Sequence, residues 1–186
     1  MLELRCADKD PVVSGENQYL SASLAIVNRA LTSSRLLIRG MTEEDVPRVD
    51  EVIGRFWKVA VDHRAELKGG ASVCLVAEVP GKAGREIIGV AVLALSKWNK
   101  IGNLLELTVA RERQRTGIGG LLVRELGSRA RAAGLRAIVA ETQPDNVVAV
   151  SFYRKVGFRF CGYNDRYYTN APRSEHEVAV FYCLEV

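Results

Sequence analysis

The sequence is poor in the residues from which metal centres and disulfide frameworks are built. Its four cysteines, Cys6, Cys74, Cys161 and Cys183, lie far apart and form no CxxC pair. Neither a zinc ribbon nor a disulfide scaffold is expected, and reduced thiols are. Cys74, Cys161 and Cys183 fall in strand-like stretches and read as small buried hydrophobes. The two histidines, His63 and His176, are isolated from each other and from any ligand spacing, so no metal is expected and both read as bystanders. Neither HExxH nor GxSxG occurs. The longest apolar run, Ile87 to Leu95, is broken by Gly89 and is too short to cross a bilayer. The opening residues MLELRCADKD are mixed in charge without an apolar stretch, so a cytoplasmic protein with no membrane partner is expected. Charge of one sign is also scarce: 26 Lys and Arg against 22 Asp and Glu give a net +4. That suits an anionic ligand and is too little for a dedicated nucleic-acid binder.

What is present is the material of one ordinary domain. The chain has 186 residues, 48% hydrophobic and 26% charged, enough to bury a core without staples. Residues 1–34 read as an extension. In it Leu20, Leu24, Val27 and Leu31 recur at helical spacing, predicting a helix from Asn17 to Leu31. Its apolar stripe needs a partner, either the main domain or a second subunit of a homodimer.

Residues 35–186 alternate strands and helices. Strands are expected at Arg35–Arg39, Val73–Val79, Glu86–Lys97, Leu104–Ala110, Leu135–Glu141, Phe158–Tyr163 and Glu177–Leu184. Thr42 to Asp45 reads as a capping box with Met41 and Val46 as a hydrophobic staple. The stripe Val46, Val49, Ile53, Phe56 and Ala60 follows it as a helix. Further helices are expected from Gly117 to Ala133, stopped by Gly134, and from Asn146 to Val156. The Leu104–Glu141 strand-helix-strand unit implies a parallel pair. The main fold is expected to be one α+β domain.

The most informative stretch is VARERQRTGIGG, residues 109–120. A glycine-rich turn feeding a helix gathers unpaired backbone N–H groups at the positive end of the helix dipole. Glycine also lets a phosphate approach without a Cβ in the way, and Arg111, Arg113 and Arg115 add positive charge. The physical reading is a pyrophosphate site. No lysine follows as in a P-loop, and Leu122 stands where a dinucleotide fingerprint needs its third glycine.

Here the sequence resembles the GNAT superfamily of acyl-CoA-dependent N-acetyltransferases. QRTGIG (Gln114–Gly119) is similar to that family's R/Q-x-x-G-x-G/A loop, NVVAVSFY (Asn146–Tyr153) to its NxxAxxxY element, and YRKVGF (Tyr153–Phe158) to YxKxGF. The run Glu141-Thr142-Gln143, with Asn146, Phe152 and Tyr153, also resembles the streptothricin-acetyltransferase-like branch. The resemblance covers residues 35–186. It implies a central, mostly antiparallel mixed sheet with a splayed parallel pair, flanked by helices, here with an extra N-terminal helix.

It further implies acetyl-CoA as cofactor and an amine acceptor, either a small cationic molecule or a protein amine. Gln114, Arg115, Thr116, Gly117, Ile118, Gly119 and Gly120 would hold the pyrophosphate. Thr108, Val109 and Ala110 would pair with the pantetheine arm, Asn146 would touch it, and Tyr153 would sit near the thioester sulfur. Acetyl transfer needs an amine that loses a proton, a stabilised oxyanion and a protonated leaving thiolate. An N–H near Val109 can serve the oxyanion and Tyr153 is the expected general acid. For the base, Glu106 is preferred to Glu141. Strand alternation puts Glu106 and Thr108 on one face, opposite Leu105, Leu107 and Val109. Tyr163, Tyr167 and Tyr168 read as packing aromatics that could line an acceptor pocket. The competing expectation is a non-catalytic acyl-CoA-binding or regulatory module on the same fold.

Overall fold

The computed structural model describes residues 36–54, 61–82, 84–170 and 177–186. The expected N-terminal helix, Phe56, Ala60 and His176 lie outside the described residues. The elements are β1 (Leu37–Gly40), α1 (Val46–Gly54), α2 (His63–Gly69), β2 (Ser72–Gly81), β3 (Gly84–Ser96), β4 (Ile101–Val109), α3 (Ile118–Ala132), β5 (Ala137–Thr142), α4 (Val147–Lys155), β6 (Arg159–Asn164) and β7 (Ala179–Glu185). The strands form one sheet ordered β1-β2-β3-β4-β5-β7-β6. Among the described residues only β4 and β5 pair in parallel; the other pairs are antiparallel.

The long apolar strands are explained by cover on both faces. In β2 successive residues alternate between two buried clusters. Cys74 and Val76 face the cluster of Val46 and Val49 from α1, whereas Leu75 and Ala77 face that of Leu122 and Leu126 from α3. α1 thus packs on one face and α3 on the other, and the covered stretches Cys74–Ala77 and Ile87–Leu93 are continuously apolar because neither side meets water.

Local signals set the helix ends. The Asp45 carboxylate accepts from the Thr42 backbone N–H at 2.8 Å and from its hydroxyl at 3.0 Å, and Met41 and Val46 share a buried cluster, as box and staple require. Arg39 then grips Asp45 at 2.6 and 2.8 Å and Glu78 at 2.6 and 3.2 Å, pinning β1, β2 and the start of α1 together. At the other end of α3, Gly134 (φ +75) makes a Schellman stop, with Leu135 N–H donating to the Ala130 carbonyl and Gly134 N–H to that of Arg131, each at 2.9 Å. α2 is unanticipated. Its seven residues, HRAELKG, start at an Asp62 cap that accepts from Ala65 N–H at 3.0 Å, and they carry too few apolar residues to make a readable stripe.

Two bulges shape the sheet centre. Between β2 and β3 the extra residue is Ile88, whose carbonyl accepts from Ala110 N–H at 2.9 Å. Between β3 and β4 it is Leu105, since Val92 faces Glu106 and Leu93 faces Leu104. Cys161 is the extra residue of β6 opposite β7. It is exposed, against the expectation of a buried thiol; Cys74 is buried and Cys183 lies between. β6 is a sheet edge with most of its residues exposed, so a strand-like pattern there did not mean burial.

Candidate active site

The parallel pairing of β4 with β5 runs only from Ile101 opposite Ala137 to Leu104 opposite Ala140. β4 continues to Val109 and β5 to Thr142, so beyond that point the strands part and leave a gap. The cause is on β4: the bulge at Leu105 bends it away just where pairing ends.

One side of the gap ends in the glycine turn. Gly117 caps α3 in the left-handed region at φ +93, and Arg115 adds a second positive φ of 60. Among the described residues the backbone N–H groups of residues 115–120 donate no hydrogen bond, whereas Leu121 N–H is the first to be used, by the Gly117 carbonyl at 3.1 Å. Unpaired donors at the N-terminus of a 15-residue helix form a concave anion site. Two side chains brace the turn. Gln114 donates from Nε2 to the Val109 carbonyl at 3.1 Å, and the Thr116 hydroxyl donates to the Arg113 carbonyl at 2.6 Å. Gly119 has a different reason to be glycine than phosphate approach: an added Cβ would lie 3.1 Å from the Phe152 ring. α3 and α4 touch there.

The N–H of Ala110 is already spent on Ile88, so Ala110 has no backbone donor left for a ligand. Backbone alternation along a strand then turns the N–H of Val109 away from β3 and into the gap. Thr108 is buried and its hydroxyl donates to Glu106 at 3.2 Å, which leaves the backbone, not the side chain, to meet an extended ligand.

α4 brings two expected residues to the gap. Asn146 caps the helix by accepting from Ala149 N–H at 3.2 Å, and its half-buried side chain is fixed by that bond. Tyr153 sits at the other end, where Gly157 (φ +102) makes a second Schellman stop. Phe158 N–H donates to the Tyr153 carbonyl at 2.9 Å and the two rings pack at 5.3 Å. The YRKVGF spacing is therefore a device that locks the backbone and ring of Tyr153 together. The ring also packs on Tyr182 at 6.1 Å and Phe152 at 5.7 Å. Burial, with a smaller push from the Glu141 charge, raises the phenol to about 12. Its hydroxyl makes no hydrogen bond among the described residues.

Opposite α4, the sheet face opens as a cavity of about 450 Å³ lined by Ala94, Asn103, Leu104, Leu105, Val139, Glu141, Tyr167 and Phe181. Glu141 stands in this wall with its carboxyl pushed up by burial, and the Tyr168 hydroxyl donates to it. Tyr153 packs on the α3/α4 side of the sheet and Glu141 faces the cavity on the other, near enough for the Glu141 charge to act on the phenol. Tyr167 lines the cavity and packs on Phe181 at 5.3 Å and Tyr168 at 5.2 Å. Tyr163 is exposed and is not part of that wall.

Glu106 is placed differently. It shares a face with Thr108, as alternation predicts, but it lies under α1 and α2, outside the cavity lining. His63 Nε2 is 2.9 Å from its Oε2. His63 is thus no bystander: it is 2% exposed and joins Glu106 to Asp50, whose Oδ1 is 3.2 Å from Nδ1. No spacing signal could have found it.

A splayed parallel pair, a donor-rich turn into a long helix and a tyrosine opposite a carboxylate define a class. The model of the Acetyltransferase (GNAT) family matches residues 41–158, and the chain belongs to that family. Streptothricin acetyltransferase of Streptomyces lavendulae is 32% identical over 95 residues, 50% of this chain and 50% of that enzyme. The chain thus matches about half the length of that curated relative. A provisionally assigned streptothricin acetyltransferase of Bacillus anthracis, solved with acetyl coenzyme A, superimposes with a TM-score of 0.69 at 22% identity, covering 81% of this chain and 99% of that one. The ribosomal-protein-S18-alanine N-acetyltransferase of Escherichia coli gives a TM-score of 0.65 at 18% identity, covering 81% and 94%. At these identities the two structures share the fold with this chain. No helix among the described residues is long and apolar enough to cross a membrane.

Proposed function

We propose that this protein is an acetyl-CoA-dependent N-acetyltransferase that moves an acetyl group to a primary amine by direct attack in a ternary complex, its acceptor a small cationic amine. The observation that carries the reading is a free N–H cradle at residues 115–120 together with Tyr153 and Glu141, which lie on opposite faces of the sheet and within reach of each other's charge. Kinship with a streptothricin acetyltransferase supports an amine acceptor. We assign residues 35–186 to the catalytic domain and residues 1–34 to an extension, in a cytoplasmic protein.

The cradle suits a pyrophosphate: its donors are unpaired, and its sharpest turn is at a glycine that no other residue would replace without strain. Gln114 and Thr116 hold the turn, Arg115, Gly117, Ile118, Gly119 and Gly120 present N–H groups, and Asn146 borders the gap. Acetyl-CoA supplies an activated thioester. The Val109 N–H, turned into the gap, would receive the carbonyl oxygen, and Thr108 and Ala110 fix the strand that presents it. Glu141 is the base. It stands in the cavity, and its raised affinity for a proton brings it toward neutrality, where a base works best. Its charge and the Tyr167 and Phe181 rings also suit a cationic guest. An ammonium acceptor would first give one proton to Glu141; as its nitrogen bonds to the acetyl carbon and the carbon–sulfur bond breaks, the Tyr153 phenol would protonate the sulfur and be restored by the second amine proton. The preference for Glu106 as base gives way, because His63 and Thr108 already occupy its oxygens.

The test is release of free CoA thiol with a panel of mono- and polyamines. Amine-dependent release that tracks acetylated product is expected. Tight acetyl-CoA binding without transfer to any amine would instead favour a regulatory acyl-CoA-binding module.

A further inference from the structure

His63 is almost wholly buried, yet each ring nitrogen faces a carboxylate: Nε2 meets Oε2 of Glu106 on β4 at 2.9 Å, and Nδ1 meets Oδ1 of Asp50 on α1 at 3.2 Å. An ionised carboxylate only accepts. Both contacts are hydrogen bonds at once when both nitrogens carry protons, so the geometry calls for an imidazolium. The other Glu106 oxygen accepts from the Thr108 hydroxyl at 3.2 Å. One ring thereby ties α1, α2 and β4 together.

The tie lands at the weak point of β4. Up to Leu104 the strand is paired on both sides; beyond it β5 has left and β3 alone remains. Glu106 directly follows the bulged Leu105, and Leu104 and Leu105 are wall residues of the cavity. We propose that His63, as an imidazolium held between Asp50 and Glu106, is a positioning residue that fixes this bulged stretch and with it the acceptor wall. It also keeps Glu106 committed, leaving Glu141 as the carboxylate open to an amine. The acceptor side of this inference rests on the transferase reading above; the clamp itself does not.

Among the described residues the charged groups facing the ring are Glu106 from β4 and Asp50 from α1. The apolar cluster on this face takes Val90 and Val92 from β3 and Cys74 from β2, whose thiol burial pushes up to about 11. On α2 itself Glu66 accepts from Ser72, while Asp62, Arg64 and Lys68 are exposed. The bond to Glu106 raises the His63 proton affinity against the opposing effect of burial. A raised value means that the clamp is complete below the ordinary histidine range and is lost as pH climbs through the folded-state value.

The experiment is nitrogen NMR of the His63 ring in the full chain, with methyl spectra and kinetics of His63→Gln and Glu106→Gln. In the wild type both ring nitrogens should be protonated at pH 6.5, with a titration midpoint above the ordinary value of 6.5. In Glu106→Gln the midpoint should fall, because the bond to Glu106 is the largest cause of the raised value. In His63→Gln the methyl signals of Leu104 and Leu105 should move while those of Leu122 and Leu126, on the far face, stay. Its acceptor KM should rise about tenfold, the scale of one lost charged hydrogen bond, with kcat and acetyl-CoA affinity within about twofold. A neutral ring at pH 6.5, or unmoved Leu104 and Leu105 methyls, would overturn the proposal even if His63→Gln fails to fold, since the wild-type titration stands alone. Equal losses in KM, kcat and acetyl-CoA affinity would also overturn it, marking a merely structural residue. A wild type that acetylates no amine would sink the transferase reading instead, leaving ring and methyl signals to decide the clamp.

Discussion

Tyr153→Phe isolates one atom of the mechanism. The tyrosine ring is held by Phe158, Phe152 and Tyr182 at centroid distances of 5.3, 5.7 and 6.1 Å, and phenylalanine keeps every one of these contacts. The lost hydroxyl has no hydrogen-bond partner among the described residues, so stability should change by less than about 0.5 kcal/mol. The proposed cofactor cradle at the start of α3 is untouched, so acetyl-CoA affinity should stay within about twofold. Removing a general acid costs about 10² to 10⁴ in rate, or roughly 2.7 to 5.4 kcal/mol of barrier. Because burial holds the phenol up at about 12, the proton is present throughout an ordinary assay. The wild-type rate should show no descending limb from this group below about pH 11. The assay is steady-state CoA thiol release at saturating amine, beside a thermal melt and a calorimetric acetyl-CoA titration. A kcat within threefold of wild type would remove Tyr153 from the mechanism. A large drop in melting temperature with parallel loss of affinity would show that the hydroxyl supports the fold.

Glu141→Gln should lower kcat/KM by about 10² or more. It should also abolish an ascending pH limb whose midpoint lies above the ordinary carboxylate value, because burial raises the group; an unchanged pH–rate profile would exclude Glu141 as base. Gly119→Leu drives a branched side chain into the Phe152 ring, already 3.1 Å from an added Cβ. It should cost about 1–3 kcal/mol, read as a lowered urea midpoint, and a wild-type midpoint would contradict the close α3–α4 contact. Asp45 is held well below the usual carboxylate range by Arg39. The stability it contributes is present above its ordinary value near 3.8 and drains away as pH falls below it. The urea midpoint should therefore drop between about pH 4 and 2 less steeply in Asp45→Asn than in the wild type; identical slopes would refute that linkage.

The parts of the fold that were legible are those whose cause is local. The capping box at Thr42–Asp45 and the stop at Gly134 each act within a turn or so of chain. The glycine turn before α3 was legible for the same reason, since Gly117 takes a positive φ whatever surrounds it. The illegible parts depend on distant neighbours. His63 meets partners 13 and 43 residues away, so no spacing announces it. Glu106 and Glu141 point to the same sheet face, and alternation alone cannot say which one α1 and α2 cover. Bulges at Ile88 and Leu105 leave no mark in an apolar pattern, yet one anchors Ala110 and the other opens the gap. Tyr167 and Tyr168 reach the site through the fold of the chain after β6, where polar spacing carries no direction.

The central claim is that the turn at residues 114–120 cradles the pyrophosphate of acetyl-CoA. Calorimetric titration of the full chain with acetyl-CoA, with ATP and NAD as controls, tests it most directly. The account predicts one-to-one acetyl-CoA binding, no comparable binding of either control, and loss of binding in Gly117→Trp, where a bulky residue would be forced to a φ of +93. A folded wild type that takes up no acetyl-CoA, or a Gly117→Trp protein that binds it with full affinity, would contradict the assignment of the cradle and the mechanism built on it.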